Sequence, residues 1–358
     1  MKKILVVDDS ALMRRVLCDI INKDERFHVE DRAVNGLEAL EKLKHKSYDV
    51  VVLDVNMPVM NGLDLLKELQ KLNIQARVVM ASTYTREGAS ITMDALELGA
   101  LDFVHKPDSA IDCRGEEFSK NLLTTLAAVA DSRLSAFPTE KKKKETQNTV
   151  QKIVALAKKH EIPSVGRKIV AIASSTGGPK ALQAVLPFLP GNLQAPILLV
   201  QHMPKGFTAS LAERLNGLSH LAVKEAAEGD VLENGHVYLA MGGSHMKVKC
   251  DASGRSVIHY TDEPPREGVK PCANYMYESL RESHFDEVVC VVMTGMGADG
   301  TEGILHLKDK KKTVIIAQEQ STCAVYGMPK SVVNAGLSDQ IVPLDQIAQE
   351  IIISVGVK

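Results

Sequence analysis

The chain has 358 residues, enough for two ordinary domains, and its 45% hydrophobic and 25% charged residues give the profile of a soluble globular protein. A formal net charge of −2, 4% aromatics and the absence of Trp leave no general electrostatic or stacking case for nucleic acid or an acidic membrane surface. The six cysteines (18, 113, 250, 272, 290 and 323) include no C-x-x-C pair, and no apolar stretch reaches about 18 residues, so a cytoplasmic protein with reduced thiols and no membrane insertion is expected.

Over residues 1–107, short apolar runs alternate with amphipathic stretches. Ile4-Leu5-Val6-Val7, Val50-Val51-Val52-Leu53 and Val78-Val79-Met80 read as strands buried on both faces. Leu37, Leu40 and Leu43, then Leu63, Leu66 and Leu69, carry helical spacing between them. This alternation predicts a doubly wound α/β domain with a parallel sheet. In such a sheet the C-terminal strand ends share one crevice. Asp8 and Asp9 follow the first strand, Asp54 follows the third, Ser82 and Thr83 end the next, and Lys106 ends the fifth. Clustered carboxylates suit a hard divalent cation, Mg²⁺ above all, and a lysine beside them suits a phosphoryl group carried on Asp54. Any one of these carboxylates alone would read as a helix cap.

A composition shift follows residue 130. Residues 132–149, with Pro138 and Lys141-Lys142-Lys143-Lys144, read as an exposed linker whose lysine run is a solvated face. Val150, Ile153, Val154 and Ala157 fall at helical spacing, so a short amphipathic helix is expected to close it. The division expected is 1–125, a linker over 126–166, and 167–358.

A second α/β pattern begins at Lys168. Lys168 to Ala173, Pro196 to Gln201 and Val288 to Met293 read as strands of a second doubly wound parallel sheet. His236 to Met241, His245 to Cys250 and Ser256 to Tyr260, separated by turn signals, predict an inserted antiparallel β-ribbon. The first strand runs into Ser174-Ser175-Thr176-Gly177-Gly178-Pro179, a strand-to-helix turn that presents either a nucleophilic serine, a phosphate cradle or a simple cap. The second ends in Gln201-His202-Met203-Pro204, and the third in Thr294-Gly295-Met296-Gly297-Ala298-Asp299. Each segment is weak alone. Together they bring Ser175, His202 and Asp299 to one sheet edge, the three groups that nucleophilic acyl transfer requires. Their chain order differs from the Ser–Asp–His order of α/β-hydrolases, and the turn is no G-x-S-x-G elbow.

Residues 54–62 closely resemble the phosphoacceptor segment of response-regulator receiver domains, and the resemblance runs from residue 1 to about 125. It implies that Asp54 is phosphorylated, that Asp9, Asp54 and the Asn56 carbonyl hold Mg²⁺, and that Asp8 assists. Ser82 and Lys106 would sense the phosphoryl group, with Phe103 as the aromatic switch residue. The serine, histidine and aspartate segments resemble the catalytic domain of chemotaxis protein-glutamate methylesterases, the CheB family. That likeness extends from about Lys168 to the C-terminus and includes Lys224-Glu225-Ala226, His245-Met246 and Gly327-Met328-Pro329.

The resemblance implies a phosphorylation-activated hydrolase of glutamate γ-methyl esters on chemoreceptors, with methanol as product and no cofactor at the esterase site. It implies the backbone N–H of Met296 as oxyanion donor and a chemotaxis histidine kinase as phosphodonor. It also implies that the unphosphorylated receiver covers the approach to the catalytic serine. Some relatives also deamidate glutamine. Ser174 stands where the family carries Ala and competes with Ser175, although the register from Thr176-Gly177-Gly178 selects Ser175. Pro271-Cys272-Ala273-Asn274 departs from the commoner Pro-Ser-x-Asp, a change expected to touch only substrate contacts. Two rival readings remain: the same chemistry on another acyl substrate, and a binding module that has lost catalysis.

Overall fold

The computed structural model describes residues 1–83, 86–107, 115–132 and 166–356. The chain divides into two compact units, Met1–Phe137 and Pro138–Lys358. The linker lysines and the helix expected from Val150 lie outside the described residues.

The first unit is built on a five-stranded parallel sheet of β1 (Lys2–Val7), β2 (Phe27–Ala33), β3 (Val50–Asp54), β4 (Val78–Thr83) and β5 (Asp102–Lys106), in the order β2-β1-β3-β4-β5. Ile4, Val6, Val50 and Val52 pack with Val16, Leu17 and Ile20 from helix Ala11–Asn22 and with Leu122 and Leu126 from helix Glu116–Ala130. The alternate residues Leu5, Val7, Val51 and Leu53 are buried as well. Since successive strand side chains point to opposite faces, the sheet is covered on both sides, which is why these strands read as continuous apolar runs. The helix that closes the unit runs to Ala130, five residues past the boundary expected at 125.

The second unit carries a seven-stranded sheet in which every pairing is parallel. Its strands are β6 (Lys168–Ser174), β7 (Ile197–Gln201), β8 (Ala222–Glu225), β9 (His236–Leu239), β12 (Glu287–Val292), β13 (Lys312–Gln318) and β14 (Gln340–Val342), ordered β14-β13-β12-β6-β7-β9-β8. The remaining pair, β10 (His245–Cys250) and β11 (Ser256–Thr261), forms the antiparallel ribbon. Ile169, Ala171, Val288 and Cys290 pack on one face with Tyr277, Leu280, Ile304 and the ribbon's Met246, Val248 and Ile258.

One expectation needs correction. The segment from His236, expected in the ribbon, is instead a parallel strand between β7 and β8. Val237, Tyr238 and Leu239 are all buried, so the segment behaves as an interior strand. The turn at Gly242-Gly243, one of the turn signals, leads into β10, which pairs with β11 outside this sheet.

Candidate active site

The chain leaves β6 for β7 on one side of the second sheet and returns on the other side at β12. The sheet therefore reverses direction at β6, and the crevice over the C-terminal ends there is where ligands bind in open α/β folds. Ser175, His202 and Asp299 follow β6, β7 and β12.

The turn after β6 is tightly determined. The Ser175 N–H donates to the Thr294 carbonyl at 3.0 Å, the His202 N–H to the Ser174 carbonyl at 3.1 Å, and the Gly178 N–H back to the Ser175 carbonyl at 2.7 Å. Gln201, almost fully buried, ties the two strand ends together: its Nε2 donates to the carbonyls of Ser175 (3.0 Å) and His202 (3.3 Å). Its Oε1 accepts the Ser174 hydroxyl at 2.7 Å. Ser174 is thus fully buried with its hydroxyl committed, whereas Ser175 is partly exposed in the crevice. Close packing demands glycine at 178, where a Cβ would stand 2.0 Å from Gln201 Oε1.

His202 Nε2 lies 2.7 Å from Asp299 Oδ2, with side-chain exposures of 9% and 3%. Asp299 also accepts from the Ala273 N–H (2.6 Å, Oδ2), the Asn274 N–H (2.9 Å, Oδ1) and the Cys272 thiol (3.0 Å, Oδ1). The two amides open helix Ala273–Ser279, where N–H groups have no partner within the helix. Burial pushes the Asp299 carboxyl up, but His202 and these donors outweigh it and hold it below the usual carboxylate range. A carboxylate on Nε2 fixes the tautomer with its proton there, so Nδ1 is the nitrogen left with a lone pair.

The loop after β12 supplies the opposite wall. A Cβ on Gly295 would stand 2.7 Å from the Ser175 Cβ and 2.4 Å from Met328 Sδ, so the backbone of 295–296 runs directly beside the serine. Among the described residues, the Met296 N–H donates to no protein acceptor, and Met296 is 42% exposed.

In the first unit, the Lys106 ammonium donates to Asp54 Oδ1 at 2.6 Å and Asp8 Oδ2 at 3.1 Å. Carboxylate oxygens of Asp8, Asp9 and Asp54 lie within 4.8 Å of one another, a donor set that fits a hard divalent cation. Burial raises the Asp54 carboxyl above its ordinary value despite the opposing Lys106 charge, and the two carboxylates outweigh burial to raise Lys106. The buried Ser82 hydroxyl donates to the Gly88 carbonyl at 3.3 Å, Phe103 is buried, and Asn56 is exposed.

Residues 170–351 match the family described as CheB methylesterase, and residues 4–113 match the response regulator receiver domain. The chain belongs to the CheB methylesterase family. A protein-glutamate methylesterase/protein-glutamine glutaminase of Syntrophomonas wolfei is 42% identical, with 98% of each chain covered. Relatives of that name from Bacillus subtilis (41%, 98% of each chain) and Pyrococcus horikoshii (43%, 99% of this chain and 94% of that one) are similarly close. The crystal structure of the Thermotoga maritima CheB methylesterase catalytic domain is 40% identical, with a TM-score of 0.51 over 53% of this chain and all of that one.

Sequence reasoning did not foresee the surroundings of Asp299. Cys272 and Asn274, expected to bear on substrate, instead point inward: the thiol meets Asp299, and Asn274 Oδ1 accepts from the Gly300 (3.0 Å) and Gly303 (2.7 Å) N–H groups. Their departure from the Ser-x-Asp pattern was the available signal. Gln201 carries no sequence signal beyond its place in Gln201-His202-Met203-Pro204, and nothing there marks it as the brace of both strand ends.

Proposed function

We propose that this protein is a phosphorylation-activated protein-glutamate methylesterase. It hydrolyses glutamate γ-methyl esters on chemoreceptor cytoplasmic domains, releases methanol and serves chemotactic adaptation in the cytoplasm. The division proposed is a receiver closed by helix Glu116–Ala130, a linker to residue 166 and a catalytic domain over 167–358.

The observation that carries the reading is the His202–Asp299 hydrogen bond at the crevice where Ser175 stands. In the proposed mechanism, His202 Nδ1 accepts the Ser175 proton as the hydroxyl oxygen attacks the ester carbonyl. Asp299 keeps the imidazole in the required tautomer and stabilises its charged form. The Met296 N–H donates to the oxyanion of the tetrahedral intermediate. His202 then protonates the departing methoxide, and water, activated by the same nitrogen, hydrolyses the acyl-serine to glutamate. The same steps on a glutamine side chain release ammonia, in keeping with the glutaminase in the relatives' names.

In the receiver, Asp54 is the proposed phosphoacceptor and a chemotaxis histidine kinase the phosphodonor. Asp9, Asp54 and the Asn56 carbonyl would hold Mg²⁺, whose charge would offset that of the carboxylates and the incoming phosphoryl group. Lys106, already against Asp54, and the Ser82 hydroxyl would meet the phosphoryl oxygens. Methanol release from methylated receptor membranes tests the reading. The native protein should release it and Ser175→Ala should not; equal release by both would sink the proposed chemistry.

A further inference from the structure

One of the four hydrogen bonds that Asp299 accepts comes from a side chain with no part in the proposed reaction. The Cys272 thiol donates to Oδ1 at 3.0 Å, on the opposite carboxylate oxygen from His202, which lies on Oδ2 at 2.7 Å. Cys272 is fully buried, and burial, then the Asp299 charge, push its thiol far above the usual thiol range. Both effects favour the protonated thiol, the form that donates. Its backbone is pinned too: the Cys272 N–H donates to Nδ1 of the buried His245 at 3.2 Å, and His245 Nε2 donates to the Pro264 carbonyl at 3.2 Å. The thiol thus arrives on Asp299 from a fixed backbone in a fixed direction.

Resting on the methylesterase reading, we propose that Cys272 is a positioning residue, whose thiol sets the rotation and charge distribution of the Asp299 carboxylate that holds His202. Each donor on a carboxylate oxygen restrains its rotation about the Cβ–Cγ bond. Oδ2 has His202 and the Ala273 N–H; Oδ1 has the Asn274 N–H and Cys272. Without the thiol, Oδ1 keeps a single donor. The carboxylate then turns more freely, and the hydrogen bond by which it holds the His202 ring loosens with it. A hydroxyl in place of the thiol is a stronger donor in the same direction.

The test uses the full-length protein with Cys272→Ala, Cys272→Val and Cys272→Ser. Valine fills the space of the thiol without donating, so it separates the hydrogen bond from the cavity. Two quantities are read: kcat and KM on a small soluble methyl ester, and the NMR signal of the His202 Nε2–H proton that Asp299 accepts. Alanine and valine should each lower kcat roughly ten-fold, the worth of one hydrogen bond to a charged group, with KM unchanged. The Nε2–H signal should shift and broaden in both variants. Serine should restore both. Valine with native kcat and an unmoved Nε2–H signal would overturn the proposal, as would serine as slow as alanine. A native protein that hydrolyses no methyl ester, while alanine and valine still move the His202 Nε2–H signal, sinks the methylesterase reading and leaves the positioning role standing.

Discussion

Ser174 and Ser175 are adjacent and chemically alike, and the strand's two-residue period separates them. Ser174 is the last residue of β6 and turns its hydroxyl onto Gln201, while Ser175 begins the turn into the crevice. Ser175→Ala should lower ester turnover by about 10³-fold or more, leaving only what the oxyanion donor and binding supply. Ser174→Ala should keep most activity, since it loses a hydrogen bond and no reacting atom. Methanol release from the two variants checks this, and a reversed pair of results would make Ser174 the nucleophile. Asp299→Asn should fold and yet lose about 10⁴-fold in kcat, because the amide no longer enforces the proton on Nε2. The same carboxyl bears on stability. Its folded-state value lies below the ordinary 3.8, so its contribution is present above that pH and is lost as pH falls through the folded value. Thermal unfolding below pH 4 should consequently weaken the native protein more steeply than Asp299→Asn.

The elements matter through their ends. In both sheets the central strands are largely apolar, and the residues at or just beyond their C-terminal ends carry the chemistry. The turn between β6 and helix Gly178–Gln183 is the tightest of these junctions, since the Gly178 backbone lies against the Gln201 amide that braces Ser175 and His202. Gly178→Ala should destabilise the protein by about 2 kcal/mol, the usual range for overpacking a filled site. It should also lower kcat by displacing both strand ends, and denaturant melts run beside kinetics test the two effects together. At the first sheet's edge, β1, β3 and β5 deliver Asp8, Asp54 and Lys106 to one point. Mg²⁺ at about 100 times its dissociation constant should stabilise the native protein by about 2.7 kcal/mol, through binding to the folded state alone. Asp9→Asn should abolish most of that gain. An equal Mg²⁺ effect in both would place the cation elsewhere.

For the whole molecule, the consequence of two joined units is control. A tethered domain acts on its neighbour at high effective concentration, and phosphorylation is read out through an element with two states. A fragment from about Lys152 onward should demethylate receptors faster than the unphosphorylated full-length protein. On a small soluble ester the two should differ much less, because only a bulky substrate is sensitive to a covered approach. With phosphodonor and Mg²⁺ the native protein should accelerate, while Asp54→Ala stays at its basal rate. A fragment no faster than the unphosphorylated whole would falsify inhibition by cover, leaving recruitment to receptors as the route of control.

Two parallel α/β sheets, and the residues at the ends of their central strands, are written in the sequence itself. Parallel strands buried on both faces are written as apolar runs, and the fold brings their C-terminal ends together whatever the intervening helices do. Asp8, Asp54 and Lys106, like Ser175, His202 and Asp299, are therefore legible from their places at the ends of those runs. Pairing and orientation are different in kind. The segment from His236 carries a pattern compatible with ribbon or sheet, and only its neighbours Ile197–Leu199 and Ala222–Glu225 decide between them. The imidazole nitrogen that meets Asp299, the amide of Gln201 on Ser174 and Ser175 and the thiol of Cys272 on the carboxylate rest on hydrogen bonds between residues 26 to 97 positions apart. No local pattern encodes such contacts. The tertiary structure alone decided them, because a hydrogen bond depends on distance and direction to within fractions of an ångström, and those are set only when the whole core has packed.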